Sequence, residues 1–207
     1  MGKQVIVFDL GGVLMEHDIP GCIEKFKRIL GGNFNRLGLG ADGEGEADAL
    51  MGRYEKGLVA TEEFVGTILG WCIPGTTARD VEDAWNAMHA GIPSCRIDKL
   101  KQLKAEGYTL YLLSNNNELH WRDVLNRVPD FGSLFDDVFL SFREHVSKPD
   151  ERLFRILMER TGADPRDIIF VDDLAANRRA AEDVGWQTCE SLEELDADGC
   201  RDFYGLA

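Results

Sequence analysis

Gln4-Val-Ile-Val-Phe-Asp-Leu-Gly-Gly12 begins with a short, continuous, β-branched apolar run. A run with no polar alternation suits a strand buried on both faces of a parallel sheet. It stops at Asp9, so a carboxylate stands where the strand gives way to a glycine-containing turn. Similar runs recur at residues 108–113, 137–140 and 168–171, with a weaker one at 186–189. Helical periodicity is predicted between them, over 98–106, 118–127, 151–161 and 175–184. Gly107, Gly162 and Gly185 close three of these segments, a helix C-terminal signal. Strand–helix alternation predicts an α/β fold, a doubly wound parallel sheet with right-handed crossovers.

Residues 19–92 break the rhythm. They carry helical periodicity at 22–30, 47–54, 61–71 and 78–90 without a strand among them. The expected organisation is a core domain of residues 1–18 and 93–207, with 19–92 inserted as a small helical cap domain. Gly31-Gly32 and residues 38–45 are glycine-rich but match no phosphate-loop spacing, and read as a flexible loop.

Composition narrows the function. The 207 residues are 44% hydrophobic and 29% charged, as in an ordinary globular protein. A net charge of −14 repels nucleic acid and anionic membranes as extended partners, while leaving room for a small phosphate in a local cationic pocket. No apolar stretch reaches the roughly 18 residues of a membrane span, and the N-terminal run is too short for a signal peptide, so a cytoplasmic location is expected. Cys22, Cys72, Cys95, Cys189 and Cys200 are odd in number and form no CxxC pair, which predicts free thiols. His17, His89, His120 and His145 show no metal-binding spacing and read as structural or surface groups. Nothing in the pattern specifies an oligomeric state or a partner protein.

In an open parallel sheet, ligands bind beyond the carboxyl ends of the strands. Asp9 follows the first strand, Ser114-Asn115-Asn116-Asn117 the second and Asp172-Asp173 the fourth, while Ser147-Lys148-Pro149 lies just past the third. Three carboxylates converging there repel one another unless a cation joins them. Hard oxygen ligands favour Mg2+, which takes one or two carboxylates plus water and substrate phosphate. Lys148 adds a positive charge, and Ser114 with backbone amides adds hydrogen bonds to phosphate oxygens. The set points to phosphoryl transfer.

These residues resemble the haloacid dehalogenase (HAD) superfamily of aspartate-nucleophile hydrolases. Its four motifs stand in order as Val7-Phe-Asp-Leu-Gly-Gly-Val-Leu14, Leu112-Leu-Ser-Asn115, Ser147-Lys-Pro149 and Ile169-Phe-Val-Asp-Asp173, followed by Asn177. The likeness covers about 3–17 and 93–188 and is to the subfamily with a Rossmann-like core and a small helical cap. It implies a Mg2+-dependent phosphatase of a small phosphorylated metabolite. Asp9 would be the nucleophile that forms an aspartyl-phosphate and also a metal ligand, and Asp173 the main acidic ligand, supported by Asp172 directly or through water. Ser114, Asn115 and Lys148 would hold phosphate, with Asn177 orienting the network.

Gly11 departs from that resemblance. Most phosphatases of the family carry there a second aspartate, which protonates the leaving group and then activates water. Such a general acid–base contributes about 10²–10⁴-fold in rate. Glycine keeps only the backbone carbonyl, which in the family ligates the metal. Three readings follow. The favoured one is a phosphatase for activated leaving groups, because the FDLG form resembles a subgroup with sugar phosphatases acting on glucose 1-phosphate; Glu16, His17 or Asp18 would supply the missing proton. The second is a metal-free 2-haloacid dehalogenase, disfavoured by the Asp172-Asp173 pair. The third is a non-catalytic binding module.

Plainer roles also exist for these residue types. Asp172 or Asp173 suits a helix cap ahead of Ala175, and Asn117 a cap for the helix at Glu118. Trp71, Trp85, Trp121, Phe64 and Tyr54 read as packing, and Arg53 and Lys56 as surface charges. The acidic stretch 190–202 reads as a solvated face.

Overall fold

The computed structural model describes residues 4–37 and 46–196. In chain order the elements are β1 (Val5–Phe8), β2 (Glu16–His17), α1 (Ile19–Leu30), α2 (Glu46–Tyr54), α3 (Thr61–Leu69), α4 (Ala78–Trp85), β3 (His89–Gly91), α5 (Ser94–Ala105), β4 (Thr109–Ser114) and α6 (Glu118–Arg127). There follow β5 (Asp137–Leu140), α7 (Ser141–Glu144), α8 (Glu151–Thr161), β6 (Ile168–Val171), α9 (Ala175–Asp183), β7 (Gln187–Cys189) and α10 (Leu192–Asp196).

Five of these strands form one parallel sheet in the order β5-β4-β1-β6-β7. The doubly wound α/β fold expected from the sequence is the one observed. Strand β1 is central because all four of its residues are apolar and buried, which suits a position with neighbours on both edges and helices on both faces. Its side chains alternate. Ile6 and Phe8 pack with Leu100 and Leu103 of α5 and Val124 of α6, whereas Val5 and Val7 pack with Leu153, Phe154 and Leu157 of α8 and Ala181 of α9. Phe8 is in register with Leu112 on one side and Val171 on the other. The residues just past β1, β4 and β6 therefore share one edge of the sheet.

Helix ends follow the predicted chemistry. Asn117 caps α6 by accepting a hydrogen bond from the His120 amide, and Gly162 ends α8 at φ 69°, a left-handed conformation that glycine adopts without strain. Neither Asp172 nor Asp173 caps α9, whose N-cap is Leu174. Helix α5 starts at Ser94, just after Pro93 and earlier than the periodicity suggests.

The helices of residues 19–88 gather around their own cluster, which includes Phe26, Tyr54, Phe64, Ile68 and Trp85. Two expectations for this region are corrected. Gly31-Gly32, expected in a loop, instead begin a 3₁₀ helix, Gly31–Leu37, with buried Leu37 at its end. His89 and Ala90, expected to end a helix, instead lie in the strand His89–Gly91, paired antiparallel with Glu16–His17. Helix α4 stops at Trp85 and a short 3₁₀ turn, Asn86–Met88, redirects the chain into that ribbon. The glycine-rich residues 38–45 lie outside the described residues. In the acidic C-terminal stretch, Leu192 and Leu195 of α10 are buried in the sheet cluster, so this part is not simply a solvated face. The described cysteines Cys22, Cys72 and Cys95 are free thiols, as expected. Among the described residues no helix is long and apolar enough to cross a membrane.

The last turn of α2 is tied to the sheet side of the molecule. Leu119 N donates to Tyr54 Oη (3.1 Å), Ser141 Oγ to the Glu55 carbonyl (2.5 Å) and His145 Nδ1 to the Lys56 carbonyl (2.9 Å). The Tyr54 hydroxyl also pairs with Thr61 Oγ1 at 3.0 Å. These bonds satisfy otherwise orphaned backbone groups and set where residues 51–55 meet the strand ends.

Candidate active site

A cavity of about 610 Å³ lies between the carboxyl edge of the sheet and the helices of residues 19–88. Asp9, Ser114, Lys148 and Asp173 line its floor, so the loops after β1, β4, β5 and β6 deliver residues to it. Carboxylate oxygens of Asp9, Asp172 and Asp173 lie within 4.8 Å of one another.

Lys148 is the hub of the floor. Its buried ammonium donates to Asp9 Oδ1 at 3.0 Å and to Asp172 Oδ2 at 2.6 Å. Two of its three protons are thereby engaged, leaving one for a phosphate oxygen. Its backbone is held by Asn115 in a reciprocal pair: Lys148 N donates to Asn115 Oδ1 (2.8 Å) and Asn115 Nδ2 donates to the Lys148 carbonyl (2.9 Å). Asn115, expected to grip phosphate, thus positions the lysine, since both ends of its amide face that backbone. Ser114 is buried, and its hydroxyl rests on the Asn115 carbonyl at 3.3 Å.

Asp9 Oδ1 also accepts the Leu10 amide at 2.7 Å, leaving Oδ2 as the freer oxygen. Burial raises the Asp9 carboxyl to about 6, with Lys148 pulling it down and Asp172 pushing it up. Asp172 is fully buried: Asn177 Nδ2 spans both of its oxygens at 3.0 Å, and the Leu174 amide donates to Oδ1 at 2.9 Å. With Lys148 as well, its lone pairs are taken up within the protein. Asp173 is the open carboxylate, its pKa raised by burial and by Asp172. It lies over Gly12, at φ 75°, where any Cβ would collide with it. Three carboxylates against one ammonium leave an excess negative charge that a divalent cation neutralises, and oxygen donors suit magnesium. The residues present fit such an ion, with Asp9 and Asp173 as the accessible donors.

Gly11 is not simply open. A Cβ placed on it would meet His17 Cε1 at 2.5 Å and Nε2 at 2.6 Å, so the imidazole occupies the space that a longer side chain there would use. Of the three candidate proton donors, His17 lines the cavity. Glu16 faces away toward Arg96 (3.7 Å), and Asp18 caps α1 through the Gly21 amide (2.8 Å).

Two further histidines line the cavity, which their spacing in the sequence does not show. His89 pairs with His17 across the β2–β3 ribbon and holds Asp123 Oδ2 at 2.9 Å through Nδ1. His120 Nε2 donates to the Trp85 carbonyl and its Nδ1 accepts from Asn117 Nδ2, each at 3.1 Å. Burial pushes His120 down to about 3, and His89 adds to the shift. Trp85 packs as expected, yet it also lines the cavity and donates to Asn117 Oδ1 at 3.3 Å. Arg53 and Lys56 do not line it; their neighbour Glu55 does, with Met51 and Gly52.

Residues 3–185 match the haloacid dehalogenase-like hydrolases. The chain belongs to that family. Among this HAD-like hydrolase's relatives, the D-ribitol-5-phosphate phosphatase of Bacteroides thetaiotaomicron is 24% identical over 199 residues, covering 88% of this chain and 89% of that protein. The (S)-2-haloacid dehalogenase of Pseudomonas putida is 29% identical over 205 residues, covering 94% and 89%. A HAD family enzyme of Bacteroides thetaiotaomicron, solved with magnesium and inorganic phosphate, superposes with a TM-score of 0.79 at 31% identity, covering 91% of this HAD-like hydrolase and 93% of that chain.

Proposed function

We propose that this hydrolase is a magnesium-dependent phosphomonoesterase acting in the cytoplasm on a small phosphorylated metabolite, a sugar or polyol phosphate being favoured. The observation that carries this reading is the convergence of Asp9, Asp173 and Lys148 at the floor of one cavity. The phosphatase among its relatives and the phosphate- and magnesium-bound structure support it. Residues 19–92 act as a cap that excludes water from the floor.

In this reading, an Asp9 carboxylate oxygen attacks phosphorus, the bond to the leaving oxygen breaks, and that oxygen takes a proton from His17. Water then attacks the aspartyl-phosphate at phosphorus, giving its proton to His17 as the bond to Asp9 breaks and orthophosphate leaves. Lys148 holds one phosphate oxygen and keeps Asp9 aligned, with Ser114 contributing a further hydrogen bond; Asn115, Asp172 and Asn177 hold the lysine. Asp9, Asp173 and the Gly11 carbonyl would hold magnesium, which when bound would supply charge neutralisation for the phosphoryl group.

The test is phosphate release from a panel of sugar, polyol and nucleotide monophosphates with and without magnesium. Turnover that disappears on chelation and returns with the metal is expected; no release from any substrate at saturating magnesium would favour a binding module instead. The role of His17 is checked by leaving group. His17→Gln is expected to lower kcat/KM, which reports leaving-group departure, by about 10²-fold or more for alkyl phosphates and far less for p-nitrophenyl phosphate, whose leaving group needs no proton. Equal losses on both would remove His17 as the donor.

The dehalogenase relatives sustain a second reading, in which Asp9 attacks carbon and displaces halide. The exposed Asp173 carboxylate beside Asp9 argues against it, because an added negative charge repels a haloacid carboxylate.

A further inference from the structure

Glu55 is a carboxylate that the chemistry above does not use. It follows the last turn of α2, and its carbonyl is pinned by Ser141 Oγ at 2.5 Å, so its place is set by the contact between the helices and the strand ends. Glu55 lines the same cavity as Asp9. Among the described residues its carboxyl forms no hydrogen bond and no ion pair, although burial raises its pKa. A half-buried carboxylate that takes no hydrogen bond from the protein is free to accept one from a group that enters the cavity.

The charges around it narrow what that something is. Lys148 is the one lysine or arginine lining the cavity among the described residues, and it is committed to Asp9, Asp172 and the phosphate seat. A second anionic group on the substrate, whether carboxylate or phosphate, would find no further lysine or arginine in the cavity lining and would meet the Glu55 carboxylate, whose charge Lys56 offsets only from outside that lining. Hydroxyl groups can instead donate to both Glu55 oxygens, and buried Asn116 and His89 add further polar groups to the lining.

We propose that Glu55 is a specificity determinant that selects an uncharged, polyhydroxylated leaving group by accepting its hydroxyl hydrogen bonds and rejects leaving groups that carry a second anion. This rests on the phosphatase reading for the identity of the floor, but concerns a lining residue that the helical segment contributes.

The experiment compares the full chain with Glu55→Gln, with magnesium present, using ribitol 5-phosphate and glucose 6-phosphate as neutral-bodied probes and 3-phosphoglycerate and fructose 1,6-bisphosphate as anionic ones. For the variant, kcat/KM is expected to fall about tenfold on the neutral-bodied probes, mainly through KM, with loss of a charged hydrogen bond. It is expected to rise about tenfold on the anionic ones as like-charge repulsion is relieved. A merely structural role would lower all four together, and that parallel fall overturns the proposal, as does native turnover of the anionic probes equal to that of the neutral ones. Calorimetric binding of ribitol 5-phosphate and 3-phosphoglycerate, in an Asp9→Asn background with and without Glu55→Gln, separates the two readings. Opposite shifts in affinity without phosphate release from the native chain would retain the role of Glu55 and discard hydrolysis. Phosphate release with both affinities unmoved would do the reverse.

Discussion

Asp9→Asn is expected to abolish phosphate release, with a fall in kcat of about 10⁴-fold or more, as for loss of a covalent nucleophile elsewhere. The substitution is nearly isosteric. An amide oxygen at Oδ1 still accepts from the Leu10 amide and the Lys148 ammonium, so the fold around it has little reason to change. What disappears is the carboxylate oxygen that bonds phosphorus. A thermal melt close to that of the parent chain, with turnover lost, is the expected pair of results. Isotope labelling then identifies the atom attacked. In ¹⁸O-water the phosphatase puts the label into orthophosphate, because water attacks phosphorus. A dehalogenase, in which water opens an ester at carbon, would place it in the Asp9 carboxylate. Retention of activity by Asp9→Asn would exclude both covalent schemes.

Lys148→Met is expected to damage stability as well as chemistry. The ammonium is buried and bridges Asp9 and Asp172, and Asp172 has no access to solvent. Removing it leaves two buried carboxylates facing each other without a cation, a change that typically costs about 3–5 kcal/mol. The magnitude is measured by denaturant unfolding of the metal-free chain. Combining it with Asp172→Asn should recover much of the loss, since the uncompensated charge goes while Asn177 and the Leu174 amide keep an oxygen to bond. Catalysis should not recover, because the proton offered to phosphate is still missing. If Lys148→Met unfolds at the same denaturant concentration as the parent, the bridge contributes no stability and its role is confined to substrate.

These expectations draw on residues that differ in how legible they are. Asp9, Ser114, Asp172 and Asp173 can be placed from sequence because each sits at the end of an apolar run, and a parallel sheet brings all such ends to one edge. Local period and chain direction suffice for that. The helical character of most of residues 19–88 is legible for the same reason, since the periodicity of an amphipathic helix is local.

Other features depend on contacts between segments distant in sequence. His89–Gly91 has helical periodicity before it and becomes a strand only because Glu16–His17 offers an edge to pair with. Asn115 stands in a phosphate-binding motif, yet its amide is taken up by the Lys148 backbone 33 residues away. Glu16, His17 and Asp18 are equivalent by sequence distance from Gly11; the ribbon turns one toward the cavity and the other two away. Glu55 carries no motif at all, and its place comes from three hydrogen bonds between the end of α2 and the strand-end loops. Sequence by itself therefore determined the sheet, its reactive edge and the charge gathered there, because these follow from short-range patterns. Which side chains are free to act, and what they face, was decided by tertiary structure, because availability depends on which hydrogen-bonding partners the rest of the chain has already supplied.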